Sequence, residues 1–226
     1  MKKLFVISLG GSLVVPDEVS VKFLAGFKRL VENETRKGSR FIIITGGGAV
    51  ARHYGSALLK LGKPSEKDVD WLGIQATWLN AKLVQLMFGK LAHPKIISDP
   101  NSRVDFKEKI LVAGGWMPGR STDDDAVRLA IIYGSKTIIN LSNIEFLYNK
   151  DPKKYRDAKK LTEVSWGQLL KITGRKWKPG ANFPFDPTAA KNAQKHKLKA
   201  IIADGKNLSN LKKILSEKPF KGTFVK

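Results

Sequence analysis

The feature that most constrains the fold of this chain is a set of glycine clusters, each of which directly follows a short apolar run. The clusters are Gly10-Gly11, Gly46-Gly47-Gly48 and Gly114-Gly115. The runs before them are typical of buried strands and cover residues 3–9, 41–45 and 109–113. Glycine lets backbone N–H groups approach a phosphate closely, because no Cβ stands in the way. One such cluster alone would indicate little, since any tight turn between a strand and a helix can use glycine.

Segments with strand and helix patterns alternate along the whole chain. Helical spacing of apolar residues predicts helices at 18–37, 49–61, 69–88, 123–133, 165–172, 188–196 and 208–215. We predict further strands at 95–98, 136–141, 199–203 and 223–225, a polar, irregular stretch at 142–160, and a loop containing Pro179, Gly180 and Pro184. The alternation predicts an α/β fold, a three-layer α/β/α sandwich with a mostly parallel central sheet. Ligands of such sheets bind at the carboxyl ends of the strands, so the glycine turns would share one edge if their strands are neighbours.

Composition excludes several classes of site. The chain has 226 residues, which suits one α/β domain, and it has no cysteine, which excludes disulfides and thiolate chemistry. No apolar run approaches the roughly 18–20 residues that span a bilayer, so we expect no membrane partner. The lack of cysteine fits a cytoplasmic protein, which is the location that we expect. The net charge is +21, but the lysines are spread out and are not interleaved with aromatic residues. We therefore expect no nucleic-acid partner despite the charge.

Two common phosphate-binding patterns are missing from the glycine clusters. None is followed by Lys-Ser or Lys-Thr, as a Walker A loop requires, and none matches G-x-G-x-x-G. If these clusters bind phosphate, the chemistry belongs to another fold.

The clusters and the residues around them resemble the amino-acid-kinase family, and within it the archaeal-type UMP kinases. Ser8-Leu9-Gly10-Gly11-Ser12 is similar to the family's first nucleotide loop, and Thr45-Gly46-Gly47-Gly48 with Arg52 is similar to its second glycine loop. Asp70-Trp71-Leu72-Gly73 resembles the helix that faces the acceptor, and Pro118–Asp123 resembles the acceptor-phosphate loop. Asn140–Asn143, with Tyr148 and Lys150-Asp151-Pro152, resembles the adenine-side loop. Asp186-Pro187-Thr188 resembles a late helix start. The motifs occur in the family's order from residue 3 to residue 225.

The resemblance implies a phosphotransferase that moves the γ-phosphoryl group of ATP to UMP, giving UDP and ADP. Mg²⁺ would arrive with ATP and be held largely by phosphates and water. Residues 1–226 would form a single domain, with an acceptor-binding part at about 1–135 and an ATP-binding part at about 136–226. The family also implies a homo-oligomer, commonly a hexamer built from dimers.

The resemblance also assigns candidate site residues. The residues expected to bind ATP are Ser8, Leu9, Gly10, Gly11, Ser12, Gly48, Arg52, Ser142, Tyr148 and Asp151. Those expected to bind UMP are Gly47, Asp70, Trp116, Met117, Pro118, Gly119, Arg120, Ser121 and Thr122. The candidate catalytic residues are Arg52 and Asp186. No protein side chain is assigned as a metal ligand.

Each assignment has a simpler structural alternative. Arg52 and Arg120 could reach a phosphate or could be solvated arginines, and Asp70 could bind a ribose hydroxyl or favour a helix N-terminus. Tyr148 could flank the adenosine or anchor a surface loop. We expect the adjacent carboxylates at 123–125 to be solvated or to cap the helix, because neighbouring side chains on a helix point different ways.

The chain departs from the family at three places, which are Ser8, residues 123–125 and the pair Trp116-Met117 in the phosphate loop, and these leave other functions open. Many members have a lysine where this chain has Ser8, so the main cation must be Arg52, Arg120, Lys191 or magnesium. Residues 123–125 also hold an extra acidic residue. The alternatives are a sister kinase with another small phosphate acceptor, a non-catalytic nucleotide sensor or storage protein, and a nucleic-acid binder. If the loops hold phosphate, Gly47→Val should abolish turnover and leave the fold largely intact.

Overall fold

The computed structural model describes residues 3–152, 154–174 and 184–226. Its strands are β1 (Leu4–Leu9), β2 (Arg40–Thr45), β3 (Ile110–Ala113), β4 (Thr137–Ser142), β5 (Leu147–Tyr148), β6 (Lys160–Leu161), β7 (Glu163–Val164), β8 (Lys199–Asp204) and β9 (Thr223–Val225). Its helices are α1 (Gly11–Val14), α2 (Val21–Arg36), α3 (Gly48–Leu61), α4 (Glu66–Phe88), α5 (Thr122–Tyr133), α6 (Trp166–Thr173), α7 (Pro187–Lys195) and α8 (Leu208–Leu215). A single 3-10 turn follows α4 at Gly89–Leu91.

The centre of the molecule is a seven-stranded sheet in the order β3-β2-β1-β4-β8-β9-β7. All neighbouring strands in it are parallel except β8 and β9, which are antiparallel. This confirms the predicted α/β fold with a mostly parallel sheet. Strands β1, β2 and β3 are neighbours, so the three glycine clusters do lie at one edge.

Both faces of the sheet are covered by helices, which explains why the strands read as continuous apolar runs. Successive side chains of a strand point to opposite faces. Accordingly, Val6 and Ile42 belong to one hydrophobic core with α5, α6 and α7. Ile7 and Ile43 belong to the other core, with α2, α4 and α8. Among the described residues, no helix is long and apolar enough to cross a membrane.

Two predictions of secondary structure were wrong in detail. The strand predicted at 95–98 is reduced to a single bridge between Ile97 and Ala113, directly after the turn that contains Pro94. The stretch 142–160, predicted to be irregular, ends in a hairpin in which β5 pairs with β6. Strands of two residues are too short to show a period of two in the sequence. Pro179 and Gly180 of the predicted loop lie outside the described residues.

The first two glycine clusters pack directly on each other, backbone against backbone. A Cβ on Gly11 would lie 2.1 Å from the backbone nitrogen of Gly48. A Cβ on Gly48, where φ is +61°, would lie 2.5 Å from the carbonyl oxygen of Gly11. The Gly10 N–H donates to the Leu141 carbonyl oxygen at 2.8 Å, which joins the first cluster to the end of β4. These glycines are therefore required for packing, whatever else they bind.

We expect Gly11→Ala to lower the free energy of unfolding by about 3 kcal/mol or more, because its methyl group meets backbone atoms that cannot move aside independently. Urea denaturation of the purified variant measures this. Gly73→Ala is the matched control: Gly73 lies inside α4 and a Cβ there would have nothing within 4 Å. Alanine in a helix interior is about 0.5–1 kcal/mol more favourable than glycine, so the control should be at least as stable as the wild type. Equal losses in both variants would contradict the packing argument.

Candidate active site

The carboxyl ends of β1 to β4 bring most of the predicted site residues to one edge of the sheet. The Gly46 N–H donates to the Leu9 carbonyl oxygen at 3.0 Å, which links the ends of β1 and β2. Leu9 itself is fully buried in a core, so it can offer a ligand only backbone atoms. Ser142 ends β4, two strands from β2. The two glycine loops and the end of β4 thus form one continuous, glycine-lined edge.

Arg52 lies against the first glycine loop. It projects from α3 and donates to the carbonyl oxygen of Pro16 at 2.7 Å and to Ser12 Oγ at 3.4 Å. The side chain is exposed, so its planar guanidinium remains accessible to a ligand. The structure therefore brings Arg52 and Ser12, both predicted to bind ATP, into contact.

A partly buried hydrogen-bond network lies beneath this edge, centred on Asp123. Its Oδ1 accepts from Ser8 Oγ at 2.9 Å and from Asn140 Nδ2 at 2.7 Å, and its Oδ2 accepts from the Asp186 N–H at 3.2 Å. Burial raises the pKa of Asp123 to about 6, and the nearby Asp186 carboxylate also raises it, while the hydrogen bonds act in the opposite direction. Asp123 is therefore ionised at neutral pH and neutralised in part by donors rather than by a cation.

Asp123 and Asn140 belong to two of the motifs named from the sequence, but no binding role was predicted for either residue. Asn140 stands beside Ser8 in the register of β1 and β4, which only the strand order reveals. The sign that the sequence offered was a polar residue, Asn140, near the end of the predicted strand 136–141.

Asp186 begins α7 and connects it to α5. Its Oδ1 accepts from the N–H groups of Thr188 and Ala189, which makes it the N-cap of α7. Its Oδ2 accepts from Ser121 Oγ, the hydroxyl that also caps α5. Both oxygens are thus engaged, and the residue is buried. This geometry gives Asp186 a capping and bridging role, and its catalytic role stays a prediction.

Residues 114–121 connect β3 to α5 and include most of the residues predicted to bind UMP, so we call them the acceptor loop. Side chains of α4 hold this loop in place. The Gly115 N–H donates to Thr77 Oγ1 at 2.6 Å, and the Trp78 indole N–H donates to the Gly115 carbonyl oxygen at 2.7 Å. Further along the loop, the Gly119 N–H donates to Asp70 Oδ2 at 2.8 Å. Asp70, predicted to bind ribose, therefore has one oxygen engaged in orienting the loop. The predicted UMP-binding residues of the loop and of α4 do lie together.

Gly47 is enclosed between α3 and α4. A Cβ there would lie 2.6 Å from Ala51 Cβ and 3.2 Å from the Gly73 carbonyl oxygen. Asn80 Nδ2 donates to the carbonyl oxygens of Gly46 and Gly47 at 2.8 and 3.1 Å. A valine would push the two helices apart. The expectation that Gly47→Val leaves the fold intact does not agree with this geometry.

Comparison with known proteins agrees with this arrangement. The model of the amino acid kinase family matches residues 3–204. The chain belongs to the amino acid kinase family. It is 36% identical over 223 residues to the uridylate kinase of Thermoplasma volcanium, covering 97% of this chain and 96% of that one. It is 31% identical over 214 residues to the uridylate kinase of Methanobrevibacter smithii, covering 93% and 94%.

Solved structures show the same relationship. The crystal structure of uridylate kinase from Archaeoglobus fulgidus aligns with a TM-score of 0.82 at 31% identity, covering 99% of this chain and all of that one. The UMP kinase of Bacillus anthracis aligns with a TM-score of 0.77 at 16% identity, which shows the shared fold.

The residues predicted to lie on the adenine side of this amino acid kinase are divided between two sheets. Ser142 Oγ accepts from the Ile144 N–H at 3.2 Å and so shapes the turn after β4. Tyr148 belongs to the hairpin of β5 and β6, and Asp151 follows it. The hairpin is anchored to β9 by the Leu147 N–H, which donates to Thr223 Oγ1 at 2.8 Å. The contact of Tyr148 and Asp151 with ATP stays a prediction.

The acidic start of α5 is not solvated, contrary to our expectation. Asp124 and Asp125 are each only 1% exposed. Among the described residues, the buried side-chain polar atoms without a hydrogen-bond partner are Asp124 Oδ1 and both carboxyl oxygens of Asp125. Burial, and then the neighbouring charge of Asp124, raise the pKa of Asp125 to about 8. Asp125 is therefore mostly protonated at neutral pH.

We expect Asp125→Val to stabilise the protein, and more so at pH 8 than at pH 5. An unfolded aspartate titrates near 3.9, so between about pH 4 and 8 the folded state holds a proton that the unfolded state has released. The stability of the wild type therefore falls as pH rises through this window. The variant lacks this loss, which should amount to on the order of 5 kcal/mol at pH 8 but only about 1.5 kcal/mol at pH 5. Thermal unfolding at both pH values measures the difference.

The matched control for this experiment is Asp105→Asn, because the side chain of Asp105 is 94% exposed. It should show no pH-dependent change in melting temperature. An Asp125→Val variant that shifts the melting temperature equally at pH 5 and pH 8 would show that Asp125 is not protonated in the folded protein.

Proposed function

We propose that this chain transfers the γ-phosphoryl group of ATP to UMP, giving UDP and ADP. The observation that carries the proposal is the convergence of two glycine loops and the N-terminus of α5 at one edge of the sheet. Backbone N–H groups and a helix N-terminus bind phosphate well. The relatives that match nearly the whole chain are named uridylate kinases, which supports UMP as the acceptor. A cytoplasmic role in pyrimidine nucleotide synthesis is part of the proposal.

The ATP side of the proposed site is the first glycine loop with Gly48 and Arg52. Phosphoryl transfer depends mostly on positioning and on neutralising charge on the transferred group. Arg52 donates to Ser12 Oγ of this loop at 3.4 Å, so a phosphate in the loop would come within its reach. Ser8 is engaged with Asp123 and supplies no positive charge. We therefore assign to Arg52 the cationic role that a lysine at position 8 has in other members of the family.

Magnesium enters this proposal as part of the substrate MgATP, and it neutralises phosphate charge. The carboxylates nearest the edge fit such an arrangement. Asp123 accepts from Ser8, Asn140 and the Asp186 N–H, and Asp186 accepts from Ser121 and the start of α7. Since these oxygens already have donors, phosphate oxygens and water would supply the coordination that Mg²⁺ prefers.

The UMP side of the proposed site is the acceptor loop with Gly47 and Asp70. The loop precedes α5, whose N-terminal N–H groups favour an anion. Asp70 and Thr77 hold the loop on α4, so the acceptor phosphate would be positioned relative to the same helix that contacts the nucleoside. In this arrangement residues of about 1–135 bind the acceptor, and residues of about 136–226 supply the adenine side.

The test is an ADP-release assay with MgATP and a panel of acceptors: UMP, CMP, dUMP, AMP and isopentenyl phosphate. We expect strong turnover with UMP. Arg52→Met should lower kcat by roughly 100-fold or more, because an electrostatic contact to the transferred group is lost. Arg36→Met, an exposed arginine at the end of α2 that bonds only locally to Asn33, is the matched control and should keep full activity.

Each outcome of the assay favours one function. Turnover of another acceptor alone would identify a sister kinase. ATP binding without turnover of any acceptor would identify a nucleotide sensor or storage protein and overturn the proposal. Wild-type kcat in Arg52→Met would overturn the role of Arg52 and leave the activity itself standing.

We also propose that the chain forms a homo-oligomer, with a hexamer as the expected size, through the exposed face of α4. Leu79 and Leu86 are each 62% exposed, and Leu83 between them is 36% exposed. Their spacing places them on one stripe of the helix. Leu59 and Leu61, at the end of the neighbouring α3, are also exposed. An apolar stripe of this kind is well suited to pack against the same stripe of a second copy.

Light scattering after size-exclusion chromatography tests the oligomer. We expect a mass of several chains for the wild type and a smaller one for the double variant Leu79→Glu with Leu86→Glu, because charges would be buried between the copies. Val21→Glu, at an exposed apolar residue of α2, is the control and should keep the wild-type mass. An unchanged mass for the double variant would exclude this face of α4 as the interface.

A further inference from the structure

Two arginines share one buried carboxylate beneath the acceptor loop. Asp124 Oδ2 lies 2.9 Å from Arg128 Nε and 3.6 Å from Arg120 Nη1. The side chain of Asp124 is 1% exposed, whereas those of Arg128 and Arg120 are 23% and 35% exposed. Arg120 belongs to the loop, and Arg128 lies one turn along α5 from Asp124.

The two arginines are held with unequal strength. Arg128 is within hydrogen-bond distance of Asp124, donates to Asn101 Oδ1 at 3.0 Å, and has its guanidinium 5.0 Å from the centre of the Trp116 ring. The distance from Arg120 to Asp124 is an ion-pair distance, longer than a hydrogen bond. Arg128 is thus the fixed partner of the carboxylate, and Arg120 is the partner that can leave.

The charge around Asp124 makes a remaining partner necessary. Removing every cation from a buried carboxylate is strongly unfavourable. Asp124 Oδ1 has no hydrogen-bond donor among the described residues. Within that part of the chain, no donor at this oxygen replaces an arginine. Without Arg128, the ion pair with Arg120 would be the one that remains to neutralise Asp124.

We propose that Arg128 is a positioning residue that frees Arg120 to bind the phosphate of the acceptor. Before the acceptor binds, Arg120 forms an ion pair with Asp124. When a phosphate monoester enters the loop, the Arg120 guanidinium moves to it, and Arg128 keeps Asp124 neutralised. A guanidinium suits this exchange because it keeps its charge and pairs with both carboxylate and phosphate oxygens. The inference rests on the proposed function, since it takes UMP as the acceptor.

The first variant is Arg128→Met, in which Arg120 would be retained by Asp124. We expect the KM for UMP to rise about 10-fold, while the KM for ATP stays within about 2-fold of the wild type. Binding of UMP alone, measured by titration calorimetry, should weaken by the same factor. Arg128→Lys keeps a cation four residues from Asp124 and should retain most of the affinity for UMP.

The decisive variant is Arg128→Met combined with Asp124→Asn. The asparagine no longer holds Arg120, so the double variant should recover a KM for UMP within about 3-fold of the wild type. If Arg128 acts only by supporting Trp116 and Asn101, the second substitution restores nothing. Asn101→Ala is the matched control: it removes one contact of Arg128 but leaves its pair with Asp124, and the KM for UMP should stay at the wild-type value.

Thermal unfolding of every variant separates loss of fold from loss of affinity, and Arg128→Gln replaces Arg128→Met if the latter does not fold. A wild-type KM for UMP in the single variant, or no recovery in the double variant, would overturn the inference while the kinase activity of the wild type stands. A wild-type protein that neither binds nor phosphorylates UMP would instead overturn the proposed function, and this inference with it.

Discussion

The contact between the backbones of Gly11 and Gly48 is the constraint on which the rest of the site depends. It joins the turn after β1 to the turn after β2 with no side chain between them. Since Gly10 is in turn bonded to Leu141 at the end of β4, three strand ends are fixed relative to one another. The proposed phosphate-binding edge is therefore fixed by the sheet, which suits phosphoryl transfer because positioning supplies most of its acceleration.

Three adjacent carboxylates lie at the beginning of α5, and each of them is stabilised in a different way. Asp123 is surrounded by donors from Ser8, Asn140 and the Asp186 N–H. Asp124 is paired with arginines, and Asp125 has its pKa raised to about 8, so it holds a proton. The proposed acceptor phosphate binds close to these residues. Their neutralisation keeps like charges from repelling it.

The two halves of the proposed site differ in how they are built. The ATP side is made largely of backbone in glycine turns, which leaves little freedom for adjustment. The acceptor loop is instead attached to α4 by hydrogen bonds from its backbone to the side chains of Thr77, Trp78 and Asp70. A loop held by a few side chains can change its contacts when a ligand arrives. An exchange of Arg120 between Asp124 and a phosphate is consistent with that construction.

The sequence by itself determined the α/β fold, the mostly parallel sheet and the glycine turns after its strands, because apolar periodicity and glycine clusters are local properties of the chain. The order of the strands, which places these turns at one edge, was decided by the tertiary structure. Family motifs also indicated the residues at this edge. Only the tertiary structure decided that Asn140 stands beside Ser8, that Asp124 and Asp125 are buried, and that Arg128 takes part. Burial and pairing depend on residues distant in the chain, so no local pattern could reveal them.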